Sequence, residues 1–249
     1  MSAVPEIVDT IGDARGKVVL QGFPDVGLVG SITVSYLVDQ LGLKQVGYVE
    51  SDDLPPVVPI RNSEVKDLIR IYEDRRAIIF VSDIPIPAKM IKPLARAMLD
   101  WSKSKGVDRL YCLTGLADPN RIEIEQPKVF VAASRLKLAE ELADLLDAEV
   151  LGEGFVAGIN AELVRQGARK GFDVGLLLAQ SHYNYPDPGA AAQLLLRMPK
   201  LIDASVDVGP LLQSAEMIRM QLRDLMRRTY DTMGDMQKSK ELELPPVYR

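Results

Sequence analysis

The residue types and spacings best suited to chemistry fall in a glycine-rich turn, around a lone histidine, and at the C-terminus. The turn is Gly22-Phe23-Pro24-Asp25-Val26-Gly27-Leu28-Val29-Gly30. A turn of this kind between a strand and a helix can cradle an anion, because helix N-terminal amides and the macrodipole favour negative charge. Its spacing is not G-x-G-x-x-G, and no G-K-S/T follows. Gly22, Gly27 and Gly30 therefore also read as close-approach glycines, with Asp25 as a helix cap. His182, the only histidine, lies in Ser181-His182-Tyr183-Asn184-Tyr185-Pro186-Asp187-Pro188-Gly189. A Ser/His/Asp triad can be drawn there, but the chain has no G-x-S-x-G elbow. Asp187-Pro188 reads better as an N-cap with proline at the first helical position. No catalytic constellation stands out. One cysteine and one histidine cannot make a zinc site alone. Asp52-Asp53 and Glu123/Glu125 read as solvated loop carboxylates, so no metal and no cofactor is expected. The terminus is Val247-Tyr248-Arg249. There the α-carboxylate sits at a fixed distance from an aromatic anchor, a tip that a pocket offering a cation and backbone groups can capture.

The elements that must position these groups follow from periodicity. Strand-length apolar runs are expected at 17–23, 45–50, 67–72, 77–82, 109–114, 129–133 and 174–179. Helical periods are expected at 26–41, 89–105, 135–146, 159–170 and 190–198. Strands 67–72 and 77–82 are separated by Glu73-Asp74-Arg75-Arg76, a hairpin signal. Strands apolar on both faces and separated by helices imply an α/β fold, a single three-layer domain with a mainly parallel, mixed sheet. Residues 52–59 form a loop with an apolar patch, Leu54-Pro55-Pro56-Val57-Val58. It reads as a partner surface or as a loop tucked on the core.

The pattern changes near Gly209-Pro210. From there Leu211, Ala215, Ile218, Leu222, Leu225, Thr229, Thr232 and Met236 follow heptad steps. Such a seam packs on another helix or on its own domain. The chain thus divides into a domain at 1–208, a helical extension at 209–237 and a tail at 238–249. Pro245-Pro246 stops helix, and the tail is expected to be flexible overall with a stiff, extended end. Leu211, Ala215, Ile218, Leu222 and Leu225 are the expected oligomerisation face.

Bulk properties narrow the classes. With 249 residues, 47% apolar and 26% charged, the chain can bury one sizeable core. A net charge of -5 supplies no basic balance for nucleic acid. No apolar run approaches the roughly 20 residues that span a bilayer. The single cysteine, Cys112, excludes a disulfide within the chain. Met1-Ser2-Ala3-Val4-Pro5-Glu6 lacks the basic start of a signal peptide. A cytoplasmic protein with neither nucleic-acid nor membrane partners is expected.

Three motifs resemble one known family. Gly22 to Gly30 leading into Tyr36-Leu37-Val38 is similar to the N-terminal signature of the proteasome assembly chaperone 2 family. Gly152-Glu153-Gly154-Phe155-Val156-Ala157-Gly158-Ile159-Asn160-Ala161-Glu162-Leu163 resembles its central glycine motif. Tyr185-Pro186-Asp187-Pro188-Gly189-Ala190-Ala191 with Leu194-Leu195-Leu196 resembles its third. The resemblance spans about residues 15–215 and is strongest to archaeal members with a proteasome-binding tail. It implies a fold related to purine nucleoside phosphorylases, without that chemistry. It also implies homo-oligomers, tetramers or pentamers, that assemble or activate the 20S core particle and engage unfolded or substrate proteins. Val247, Tyr248 and Arg249 match a hydrophobic-tyrosine-X motif. By that resemblance they enter pockets between 20S α-subunits, the Arg249 carboxylate meets a pocket lysine, and Tyr248 helps open the gate without ATP. The rival reading is an enzyme acting on a nucleoside or phosphate at the glycine turn.

Overall fold

A computed structural model of the protein describes residues 4–241, with side chains through Gly234. The strands are β1 (Glu6–Asp9), β2 (Val18–Gly22), β3 (Gln45–Glu50), β4 (Ile60–Arg61), β5 (Glu64–Val65), β6 (Ile69–Glu73), β7 (Ala77–Ser82), β8 (Arg109–Ala117), β9 (Val129–Ala133), β10 (Glu149–Val150) and β11 (Asp173–Ser181). The helices are α1 (Val29–Gln40), α2 (Ala88–Ser104), α3 (Leu136–Leu146), α4 (Gly158–Lys170), α5 (Pro188–Leu195), α6 (Met198–Ile202), α7 (Gly209–Gln213) and α8 (Ala215–Glu241). Nine strands form one sheet in the order β1-β3-β6-β7-β2-β8-β11-β9-β10. Its centre, β7-β2-β8-β11, is parallel. The flank β1-β3-β6-β7 is antiparallel, as is the pairing of β9 on β11. The hairpin expected from Glu73-Asp74-Arg75-Arg76 joins β6 to β7.

The central strands are continuous apolar runs because helices cover both faces. Leu20, Ile79, Leu113 and Leu177 face a core built with α1, α3, α5 and α6. Val19, Ile78, Phe80, Cys112 and Leu176 face the opposite core, against α2 and α4. The result is the three-layer α/β domain, a mixed sheet whose parallel part is central. No helix among the described residues is long and apolar enough to cross a membrane.

The run at 190–198 divides into α5 and α6, with Pro199 in the first turn of the second. The heptad run breaks at Ser214 into α7 and α8, and α8 continues to Glu241. Residues 52–59 remain irregular, with Leu54 against the core and Val57 and Val58 exposed.

One close approach sets the position of α1. A Cβ on Gly30 would lie 2.0 Å from the Leu113 carbonyl oxygen, and one on Gly22 would lie 2.3 Å from the Gly30 carbonyl oxygen. Neither neighbour is a flexible side-chain end, so the helix start touches β2 and β8 backbone directly. Gly30→Ala should destabilise the fold by about 3 kcal/mol or more in chemical denaturation. Gly12→Ala, where nothing lies within 4 Å of the added Cβ, should leave the midpoint nearly unchanged.

Candidate functional site

The parallel strands β2, β7, β8 and β11 all end at one edge of the sheet, and the segments that follow them converge there. Open α/β sheets hold ligands at this edge where successive connections leave to opposite faces. Here α1 follows β2 on one face, while α2 carries β7 to β8 across the other. A cavity of about 430 Å³ opens at this place. Its walls include Phe23, Ile86, Ile91, Leu116, Phe155 and Tyr183, and α8 adds Thr229, Thr232 and Met233.

Asp25 lines this cavity. Its Oδ2 accepts from the Thr114 hydroxyl at 3.0 Å and from Asn160 Nδ2 at 2.8 Å. Burial pushes the Asp25 carboxyl above its usual pKa, against the opposing pull of the Val26 N–H, Thr114 and Asn160. Its charge in turn helps push up the Tyr183 and Cys112 pKa values, behind the larger effect of burial. Asn160 Oδ1 and both side-chain polar atoms of Gln21 are buried without a hydrogen-bond partner.

The turn that delivers Asp25 is sterically forced. Gly27 has φ +59°, and a Cβ there would lie 1.9 Å from Ser181 Oγ. Leu28 follows, fully buried and also left-handed at φ 51°, a conformation that strains a branched side chain. Asp25 makes no side-chain cap to the helix.

A second polar centre lies beside it. Asp187, 0% exposed, caps α5 by accepting from Ala190 N at 3.0 Å, with Pro188 at the first position. It also accepts from Arg121 Nε at 2.8 Å and Nη2 at 3.0 Å, and from His182 N at 3.2 Å. Its own N–H donates to Gly27 O at 2.9 Å. The carboxylate is therefore occupied by Arg121 and backbone amides. Ser181 Oγ donates to the His182 carbonyl at 3.1 Å. Burial lowers the His182 pKa, Arg121 and Arg219 lower it further, and Asp187 opposes them. The serine and aspartate needed for a triad are thus committed elsewhere.

Residues 19–226 match the model of the PAC2 family. The chain belongs to the PAC2 family. An uncharacterized protein of Methanocaldococcus jannaschii is 30% identical over 224 residues, covering 90% of this chain and 91% of its own. Pyrococcus furiosus PbaA, described as an archaeal homolog of proteasome-assembly chaperone, superposes with a TM-score of 0.83 at 26% identity, over 92% of this chain and 99% of its own. Pyrococcus furiosus PbaB, described as an archaeal proteasome activator, shares the fold with a TM-score of 0.74 at 24% identity, over 89% and 98%.

The three PAC2 motifs read from the sequence meet in space. The first supplies Asp25, and the central motif supplies Phe155 at the cavity and Asn160 on Asp25. The third caps α5 and bonds back to Gly27. The turn residues Gly22, Asp25, Gly27 and Gly30 were open to an anion-binding reading. Their glycines instead meet backbone and Ser181, and the polar group they present is a carboxyl. Among the described residues no Lys, Arg or His lines the cavity, so the geometry disfavours a phosphate.

Of the two placements open to the heptad seam, the chain's own domain takes much of it. Leu211 is buried in the chain's own core, Ile218, Leu222 and Leu225 pack against it, and Ala215 is half-buried. The seam is half-covered within the subunit, where α8 lies over α5 and α7. Met217 and Met220 are exposed on this helix, Met220 at 71%. Among the described residues no group of three or more His, Cys, Asp or Glu is placed to hold a metal. Val247, Tyr248 and Arg249 lie outside the described residues. Sequence reasoning missed Arg121, whose partner is 66 residues away, and the role of Asn160.

Removing one member of the buried Arg121–Asp187 pair leaves an uncompensated charge. Arg121→Ala should cost about 3 kcal/mol or more in denaturant unfolding. The Asp25 carboxyl has a raised folded-state pKa, so its protonated form favours folding. That contribution is present below its ordinary value of 3.8 and is lost as pH rises through the folded value. Stability of the native chain relative to Asp25→Asn should therefore fall as pH rises through that window, measured by urea midpoints at a series of pH values.

Proposed function

We propose that this PAC2 protein binds the 20S proteasome core through its C-terminal Val247-Tyr248-Arg249 and acts as an ATP-independent assembly chaperone or activator that opens the gate. The observation that carries this reading is a terminal hydrophobic-tyrosine-X triplet on a PAC2 chain 26% identical to PbaA over 92% of its length. The chemistry of the tip supports it. Val247 offers apolar area, Tyr248 a rigid ring with a hydroxyl, and Arg249 a free carboxylate for a lysine-bearing pocket between α-subunits.

α8 supports the same reading. Its 27 residues span about 40 Å, and it is anchored at Met226 and Thr229, both buried. One tail alone binds weakly. Tails shared by a homo-oligomer, a tetramer or pentamer, raise avidity by ~10²–10⁴. In this reading the protein is cytoplasmic, is not an enzyme, and delivers unfolded or substrate proteins to the opened core.

The test uses purified 20S particles with intact protein and with Tyr248-Arg249 deleted. The intact protein should co-purify with the core and raise fluorogenic peptide hydrolysis without ATP, and the truncated one should do neither. Binding without stimulation leaves an assembly chaperone. Equal binding and stimulation by the truncated protein removes the tail from the mechanism.

A further inference from the structure

The cavity at the carboxyl edge of β2, β8 and β11 has a lining that proteasome docking does not require. Its volume of about 430 Å³ lies in the range of small-molecule sites, roughly 300–1,000 Å³. Most of its walls are apolar, and its three threonine hydroxyls are already engaged. The Thr114 hydroxyl hydrogen is committed to Asp25 at 3.0 Å, that of Thr229 to Leu225 O at 2.9 Å, and that of Thr232 to Arg228 O at 2.9 Å. Thr114 and Thr229 are themselves buried, at 2% and 0% exposed, so none of these hydroxyl hydrogens is left for an anionic ligand. Asp25 adds a carboxyl group to the lining, and Asn160, buried behind it, donates to that carboxyl. Tyr183 is the one lining hydroxyl whose hydrogen no such bond engages.

A carboxyl in a mostly apolar lining, with no lining cation among the described residues, selects a ligand that brings hydrogen-bond donors and positive charge. A phosphate or carboxylate would meet the Asp25 charge, and a plain hydrocarbon would leave the carboxyl desolvated and uncompensated. An ammonium suits the Asp25 carboxyl, because it carries donors and neutralises the carboxylate. The body attached to it would lie on Ile86, Ile91, Leu116 and the ring of Phe155. Phe155 stands at the mouth with its side chain fully in solvent, 104% exposed, a cost that a bound apolar body would offset.

We propose that this cavity binds a small organic amine on an apolar body of aromatic size, with its ammonium on Asp25 and its body between Ile91, Leu116 and Phe155. Because Thr229, Thr232 and Met233 form one wall, the bound amine also contacts α8. The site stands independently of the tail.

The test is calorimetric titration of the full chain with tryptamine, with the uncharged 3-ethylindole, with indole-3-propionate and with inorganic phosphate. Tryptamine should bind at least tenfold more tightly than 3-ethylindole, and the two anions should not bind. Asp25→Asn should erase the preference for the amine. Ile91→Trp, which fills the cavity from its α2 wall, should abolish amine binding and keeps the question decidable if the Asp25 variant fails to fold. The proposal is overturned if tryptamine gives no binding at millimolar concentration, if 3-ethylindole or either anion binds as well, or if Ile91→Trp binds tryptamine like the native chain. These titrations contain no 20S particles, so their outcome is separate from that of tail docking.

Discussion

The backbone of α1 lies directly on the backbone of β2 and β8, and much of the site follows from that contact. With Gly30 against Leu113 and Gly22 against Gly30, the chain leaving β2 has only a few residues in which to turn into the helix. It does so by placing Gly27 and Leu28 in left-handed conformations. Leu28 is a branched residue that pays for this strain with burial in the core. The same turn places Asp25 at the cavity and leaves the Gly27 carbonyl free to accept from Asp187.

Asp187 extends that constraint across the sheet edge. It caps α5, holds Arg121, and receives the His182 amide. α5 is thus fixed beside α1, and α8 packs in turn on α5 and α7. The ring of Tyr183 meets Tyr230 of α8 at 5.6 Å. A route of direct contact therefore runs from the glycine turn to the helix that precedes the C-terminal triplet. The three motifs far apart in the sequence belong to this one junction, which explains why their spacing fits no single local phosphate loop.

Much of the framework was legible from the chain. Runs such as 77–82 are apolar throughout because both faces of the sheet are covered, and period-2 alternation is then lost in a recognisable way. Asp187-Pro188 was legible as a cap because capping is local chemistry. The seam on α8 was legible as a seam, but not its occupant. A heptad pattern reports an apolar face and is silent on whether the opposing surface belongs to the same subunit. The antiparallel placement of β9 beside β11 was equally hidden, since strand direction depends on the path of intervening segments.

The short edge strands β1, β4, β5 and β10 carried no apolar run of their own, and what the sequence determined by itself was the central strands and main helices, the family motifs and the chemistry available at the terminal Val247-Tyr248-Arg249. These depend on residues close together in the chain, where propensity, periodicity and capping act. The tertiary structure alone decided that Arg121 closes on Asp187, that Asn160 and Thr114 meet Asp25, and that the glycine turn presents a carboxyl rather than an anion cradle. Each of those pairings joins residues separated by 66 or more positions. Only the folded sheet brings them within hydrogen-bond distance and removes the water that would otherwise make the contacts weak.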